Sequence, residues 1–422
     1  MTGSFWIETL GCPKNEVDSD KLVGTMLADG LVPAESPEAA DVVVVNTCAF
    51  VEQARQESID TILGLDAVRA PGARLVVTGC MAERYGDELA EALPEVDAVA
   101  GFGVPVTLGP SRADRAPAFD LLNLARPRST SPWAYVKVAE GCDRACGFCA
   151  IPSFRGKQRS RAIDDILAEV DALGAREIVL VAQDLAAFGR DQGVGERAIV
   201  PLVRAVAERT DRVRLLYLYP SDLTDALVDV ICDSGVPYFD LSLQHVSAPL
   251  LRAMRRWGDG ERFATRIGAI RDRRPDAAFR SNFIVGYPGE TEADHDRLLE
   301  FVTSVRLDWC GFFPFSREEG TFAAGLDGQV PEALVAERLA ELTELQDRIT
   351  AAKRDESIGS VVEVLVDAPG IGRTWREAPE IDGIVMVDPS LEPGTFATVT
   401  IVDALGPDLV AAGGQPARED DA

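Results

Sequence analysis

The feature that most constrains this 422-residue chain is the run Gly141-Cys142-Asp143-Arg144-Ala145-Cys146-Gly147-Phe148-Cys149, with its C-x3-C-x2-C spacing. Thiolates this close in sequence converge on one soft metal centre only if the backbone curls tightly around it. Gly141 and Gly147 relax the steric limits on such a curl. Zinc and iron–sulfur sites built from thiolates usually take four protein ligands. Here the fourth is missing, since Cys232 and Cys310 stand far downstream and no His lies nearby. A cubane on three thiolates leaves one iron free to hold another molecule, as binding and cleaving S-adenosylmethionine (SAM) requires. A zinc site completed from a distance, or three structural thiols, also fits the spacing.

A chain of this length predicts two or three domains. With 46% hydrophobic residues it can bury real cores. It has no long apolar run to cross a membrane, and its start, MTGSFWIETLGC, lacks the basic and apolar regions of a secretory signal. Its eight Cys are therefore expected to serve metal or catalysis in a reducing cytoplasm. The net charge of −27 is unevenly spread. Residues 1–120 carry 20 acids and 8 bases, 121–354 carry 35 and 31, and 355–422 carry 14 and 3. Flanks this acidic repel polyanions, which argues against direct nucleic-acid recognition.

Taken in order, residues 4–105 read as a βαβα parallel-sheet domain. SFWIETL, DVVVVN and ARLVVT are short apolar runs, each followed by a segment of helical period. Each run leads into a cysteine: Cys12, Cys48 and Cys80. The carboxyl ends of parallel strands share one edge, so these thiols are expected to meet as a second three-thiolate set; chance placement of free thiols is the alternative. Residues 106–130 form a linker punctuated by Gly109-Pro110, Ala116-Pro117 and Pro127. Residues 131–355 hold six strand candidates, WAYVKVA, REIVLVA, RVRLLYLY, YFDLSL, FRSNFIVG and DWCGFFPF. They predict an open (β/α)6 relative of the eight-stranded barrel, with the cysteine loop at the carboxyl edge of its first strand. An amphipathic helix opened by Pro331 follows, then short strands over 356–415 that predict a small all-β barrel. Residues 416–422 close the chain as an acidic tail, within the polar stretch GGQPAREDDA.

Cysteine loop, N-terminal thiol set and β module together resemble the radical-SAM methylthiotransferase family, whose layout is a methylthiotransferase domain, a radical-SAM partial barrel and a TRAM barrel. The aromatic Phe148 before the third Cys fits that pattern. Within the family, Leu10-Gly11-Cys12-Pro13-Lys14-Asn15, Ile151-Pro152-Ser153-Phe154-Arg155-Gly156, Ala182-Gln183-Asp184 and Ala378-Pro379-Glu380-Ile381-Asp382-Gly383 resemble the branch that modifies a ribosomal protein. The branch that modifies tRNA carries Gln in place of Pro13 and Tyr in place of Ser153. The resemblance implies methylthiolation of an aspartate β-carbon in small-subunit ribosomal protein twelve, with tRNA (adenosine) methylthiolation as the rival. It implies two 4Fe–4S clusters and SAM, and an electron donor such as flavodoxin or ferredoxin. Cys142, Cys146 and Cys149 would ligate the SAM-cleaving cluster, and Cys12, Cys48 and Cys80 the cluster that holds the sulfur.

By the same resemblance Phe148, Gln183, Asp184, Ile284 and Gly286 are SAM-contact candidates, with Gln244 and Arg161 weaker. The stretch Phe283–Glu290 is similar to a G-x-I-x-G-x-x-E motif, with Asn282 in place of its first Gly. His245, one of only two His, is expected to be structural, and no side chain is assigned an acid–base role. The acidic β module is expected to steer a basic ribosomal protein, through acids such as Glu363, Asp367, Glu377 and Glu380.

Overall fold

The run VVVVNT is β-branched almost throughout, which suits a strand covered on both faces. In the computed structural model, which describes residues 3–104, 106, 120–193 and 198–416, all six of its residues are buried as strand β3 (Val42–Thr47). It lies at the centre of a parallel sheet of order β2-β1-β3-β4-β5. The others are β1 (Ser4–Thr9), β2 (Val32–Pro33), β4 (Arg74–Gly79) and β5 (Ala98–Ala100). The edge strands β2 and β5 were not predicted, being too short to carry an alternation. Helix α1 (Pro13–Ala28) covers one face, packing Leu22 and Met26 on Val42, Val44 and Val76. Helices α2 (Glu52–Val68) and α3 (Cys80–Ala92) cover the other, with Ile62, Met81 and Leu89 on Val43, Val45 and Val77.

The expected linker is only partly visible, because Pro105 and residues 107–119 lie outside the described residues. Its closing end is packed rather than loose. Leu121 and Leu122 are buried, and the Lys21 ammonium donates to the Leu122 carbonyl. Glu169 gathers Lys21, Arg126 and Arg161, so one carboxylate joins α1, the linker's end and the central domain.

The central strands are β6 (Trp133–Lys137), β9 (Glu177–Val181), β10 (Arg212–Leu215), β11 (Tyr238–Gln244), β12 (Ala278–Val285) and β13 (Trp309–Pro314); β7 (Ala139–Glu140) and β8 (Arg159–Ser160) form a small ribbon beside them. Two parallel three-stranded sheets, β6-β9-β10 and β11-β12-β13, are joined by a bridge between Leu218 and Leu241. The result is the predicted open six-stranded barrel. One expectation needs correction: RVRLLYLY is not a continuous strand. β10 stops at Leu215, and Tyr217 beyond it adopts a left-handed backbone (φ 65°) that breaks the extended run.

Alternate residues of these strands face out to the helices or into the lumen. Val136, Leu180, Leu215 and Phe279 pack outward with the helices. Tyr135, Val179, Val181, Tyr238 and Trp309 point inward, where Val17 of α1 and Ala378, Trp375 and Ile381 of the C-terminal module join them.

That module follows the long helix Glu332–Asp355 and is a closed barrel of order β14-β15-β16-β18-β17. Its strands are β14 (Val361–Ala368), β15 (Ile371–Arg373), β16 (Val385–Met386), β17 (Phe396–Leu405) and β18 (Asp408–Pro416). β18 reaches Pro416, so the start of GGQPAREDDA is paired strand and not tail; residues 417–422 lie outside the described residues.

The loop 374–383 plugs the lumen. Tyr135 donates to the Pro379 carbonyl (3.0 Å), Arg214 to that of Trp375 (3.0 Å), and the Tyr238 hydroxyl to Asp382 (2.6 Å). Glu177, fully buried, accepts from Arg214 at 2.7 Å and from Arg373 of the module at 3.0 Å. This corrects the steering expectation, because the acids named for it largely hold the fold. Glu377 is buried against Arg354, Asp367 pairs with Arg373, and Glu363 with Arg212. Glu380, Asp388, Glu392 and Asp403 are exposed, and Glu363 stays exposed within its pair.

Burial alone would raise the Glu177 carboxyl, but Arg214, Arg373 and Arg212 reverse this and hold it at about 2, below its ordinary 4.5. Its contribution to stability is therefore complete above pH 4.5 and is lost as pH falls through about 2. Glu177→Gln strands the buried Arg214 guanidinium, Arg373 keeping Asp367, and should destabilise by about 3–5 kcal/mol in urea unfolding at pH 7. Asp211→Asn, in an exposed pair with Arg176, should cost about 1 kcal/mol or less.

Candidate functional site

The cysteine loop leaves the carboxyl end of the first barrel strand and is folded by its glycines. Gly141 has φ 78°, and a Cβ there would strike the Lys157 carbonyl oxygen. Gly147 is needed for space alone: its Cβ would lie 3.2 Å from the Ala253 carbonyl, the Phe322 ring and the Tyr287 hydroxyl. The loop is fixed through Cys142 N–H to Gly156 O (3.0 Å), Gly147 N–H to Met254 O (2.8 Å) and Ala323 N–H to Gly147 O (2.7 Å). Arg256 donates to the Cys146 sulfur at 3.3 Å and the Arg144 amide to that of Cys142 at 3.4 Å. Burial, helped by neighbouring thiols of the set, pushes Cys142 up to about 11 and Cys149 to about 12. Without a cation to hold, these groups stay protonated.

The second set forms at the carboxyl edge of the N-terminal sheet. Gly11 (φ 103°) comes so close to Cys48 that an added Cβ would sit 2.9 Å from its sulfur. Asn15 ties this edge together. Its amide donates to the carbonyls of Leu10 (2.8 Å) and Thr47 (3.0 Å), beside Cys12 and Cys48. Its side-chain oxygen lies 3.7 Å from the Cys80 sulfur. Burial lifts Cys48 to about 12 and raises Cys80, and the charges of the other thiols in the set add to both shifts. Among the described residues no three His, Cys, Asp or Glu close in as a single metal ion would require. The wider spacing of a multi-iron cluster is not limited in that way.

A buried charge network connects the two sets, and sequence reasoning missed it. Arg155 donates to Asn15 (2.7 Å), Cys80 Sγ (3.1 Å), Asp18 (3.1 Å) and both oxygens of Glu140 (2.9 and 3.1 Å). Lys137 pairs with the same two acids. Glu140 in turn accepts from Gln183 at 2.7 Å. The signal was present, since Lys137 interrupts an apolar strand and Arg155 lies in one of the resembling motifs.

Gln183 and Asp184 are brought to the cysteine loop: Gln183 through Glu140, and Asp184 by accepting from Arg144 Nε at 2.5 Å. Gln183 Oε1 and Asp184 Oδ1 are buried without a hydrogen-bond donor among the described residues, so two acceptors remain for a polar ligand. Phe148 is half-buried against the barrel core. Gly286 (φ 79°) donates to Glu290, which also pairs with Arg338; this carboxylate shapes the loop rather than facing the thiols. Next to Ile284 and Gly286, Tyr287 reaches the cysteine loop: its hydroxyl donates to Ala253 O and lies 3.2 Å from where a Cβ on Gly147 would be. Gln244 ends its strand at a register shift with φ 70°, without a hydrogen bond to the cysteine loop among the described residues. Arg161 is committed to Glu169 and the Lys137 carbonyl. His245 is buried, accepts from the Ser247 amide, and is pushed down to about 4 by burial, which keeps it neutral.

Beside Cys12 of the N-terminal set lies one more cation. Lys14 is 9% exposed, with Nζ 3.5 Å from the centre of the Tyr217 ring. Burial alone would lower it, but Tyr217 and Cys12 outweigh that and raise it.

Comparison with known proteins agrees with this architecture. Residues 4–101 match the uncharacterised protein family UPF0004, 136–302 the radical SAM superfamily and 358–412 the TRAM domain. A protein named ribosomal protein uS12 methylthiotransferase RimO from Moorella thermoacetica is 43% identical over 413 residues, covering 93% of this chain and 95% of its own. Its namesakes from Anaeromyxobacter sp. and Akkermansia muciniphila are 43% and 39% identical, over 97% and 96% of this chain and 93% and 98% of theirs. Among solved structures, the radical SAM methyltransferase TsrM from Kitasatospora setae shares the fold, with TM-score 0.54 at 13% identity over 93% of this chain and 84% of that one.

The loop geometry makes Gly141 a specific test. Gly141→Ala forces an unfavourable φ and a clash with Lys157 O. Reconstituted protein carrying it should lose about half its iron with little loss of helical circular dichroism, whereas Gly64→Ala, in open space on α2, should keep all of it.

Proposed function

Because the chain belongs to the ribosomal protein uS12 methylthiotransferases, we propose a division of the reaction between its two thiol sets. It is a radical-SAM methylthiotransferase rather than a tRNA-modifying relative, and its cofactors are SAM and two 4Fe–4S clusters. Cys142, Cys146 and Cys149 hold the cluster that cleaves SAM; Cys12, Cys48 and Cys80 hold the one that carries sulfur. When bound, these groups supply what no side chain can, an electron for SAM and a sulfur atom for an unactivated C–H bond.

The chain's own residues bind, orient and insulate. Gln183 and Asp184 offer their free acceptors to SAM, Phe148 lies alongside, and Gln244, Ile284 and Gly286 line the far rim. Arg155 and Lys137, balanced by Asp18 and Glu140, keep the two sets at a fixed separation. The substrate is an aspartate side chain of uS12, modified at its β-carbon. The observation that carries this reading is the pair of separate thiol triads, one touched by the Arg155 guanidinium at Cys80 and the other reached through Glu140, which accepts from Arg155 and from the Gly141 amide.

The units that perform it run over 4–105, 131–355 and 356–415, with 106–130 as linker. No helix among the described residues is long and apolar enough to cross a membrane. We place the reaction in the cytoplasm, with a flavodoxin- or ferredoxin-like donor and the acidic surface drawing in a basic protein rather than RNA.

Anaerobic reconstitution should load about eight irons per chain, and replacing Cys142, Cys146 and Cys149 by Ala should leave about four. Cys48→Ala should still cleave SAM reductively yet transfer no methylthio group to uS12, whereas Cys142→Ala should do neither. Mass spectrometry of uS12 and liquid chromatography of the nucleoside product read both activities. Loss of SAM cleavage in Cys48→Ala with the other cluster fully loaded would refute the division.

A further inference from the structure

We propose that Lys14 anchors the carboxylate of the side chain being modified, and so presents its β-carbon to the Cys12/Cys48/Cys80 site. This rests on the aspartate reading above and adds to it the residue that recognises the acid. The first observation is a buried charge without an opposite charge. The Lys14 ammonium has the Tyr217 ring beside it, and among the described residues it forms no ion pair. An ammonium taken out of water without an anion is costly. The other cations here are engaged: Arg155 and Lys137 by Asp18 and Glu140, Arg144 by Asp184 and Asp222, Arg84 by Glu318, and Arg256, at the other thiol set, by the Cys146 sulfur, the Ser242 carbonyl and the Tyr219 ring. Lys14 alone of these is left to take a ligand's negative charge.

The second observation is its position. Lys14 is in the first turn of α1, where exposed amides already make the field positive and a cation is unfavourable. A lysine kept there adds to an anion site rather than to helix stability, and it lies two residues from Cys12. The third is the support beneath it. Tyr217 holds its ring against Lys14 from a left-handed backbone, an arrangement of the kind that costs roughly 1–3 kcal/mol and persists where the surroundings enforce it. Its amide is held by Asp240 (2.9 Å), which is itself paired with Arg280 and so is no counter-ion for Lys14.

The ligand chemistry follows. A carboxylate accepts from an ammonium, and in aspartate the carboxyl carbon is bonded directly to the β-carbon. Anchoring the acid thus fixes the reacting carbon one bond away, beside Cys12. Glutamate would present its γ-carbon instead, and an adenine ring offers no carboxylate.

The test uses reconstituted holoenzyme with SAM and two recombinant uS12 proteins, one native and one with the modified aspartate changed to asparagine. Wild-type enzyme should favour the aspartate form in kcat/KM and in calorimetric affinity by roughly tenfold to a hundredfold, the range for a charged hydrogen bond. Lys14→Gln should treat the two forms alike to within about twofold, while Lys14→Arg retains most of the preference. A general folding or loading defect lowers both forms together, so the ratio isolates the contact. Binding without turnover gives the same ratio if Lys14→Gln is inactive. An unchanged preference in Lys14→Gln would overturn the proposal. So would an equal loss on both substrates with a preserved ratio, which would assign Lys14 to the cluster. Failure of the wild-type enzyme to modify uS12 would sink the underlying reading instead, and this inference with it.

Discussion

Everything at the working edge of this protein depends on how Arg155 is neutralised. A guanidinium buried between two domains is tolerable only if opposite charge and hydrogen-bond acceptors surround it. Asp18 comes from the N-terminal domain and Glu140 from the central one, and Lys137 completes a set of two cations and two anions. Pulling the domains apart would break this balance and leave charges uncompensated. The interface is therefore a strong constraint on separation, and each thiol set is attached to one side of it. Fixed distance between the sets is a by-product of charge balance.

The same logic recurs at the opposite end of the barrel. Its lumen is lined by Glu177, Arg214, Arg280 and Tyr238 as well as by apolar groups, and the polar ones find partners in the loop 374–383 and in Arg373. An all-apolar lumen would accept any greasy plug. This one accepts a segment whose carbonyls and carboxylates meet specific donors, so the C-terminal module docks in one register.

Much of this was legible in the sequence, for identifiable reasons. Strands buried on both faces, such as Val42–Thr47, announce themselves as apolar runs, and the strand-then-cysteine pattern placed three distant thiols on one edge. Domain order and the cysteine loop followed from spacing alone. What escaped was whatever depends on long-range partnership. Glu363 and Glu377 read as surface charge because their partners, Arg212 of the central domain and Arg354 of the long helix, stand 151 and 23 residues away. Tyr217 reads as a strand residue until its backbone is seen to turn left-handed, and Asp18 carries no hint that Arg155 will reach it. Charge is short in sequence code and long in spatial reach, so pairing is the last thing a linear reading recovers.

The plugged lumen has a consequence for synthesis. A ribosome emits the barrel strands before the module that completes their charge pairing. Until residues 373–382 emerge, Glu177 lacks Arg373 and Arg280 lacks Asp382. Domains tend to mature as they leave the exit tunnel, but this barrel can take its final packing only once the following module is out. The barrel of an enzyme that acts on a ribosomal component thus stays unfinished on the ribosome until the module that plugs it has followed.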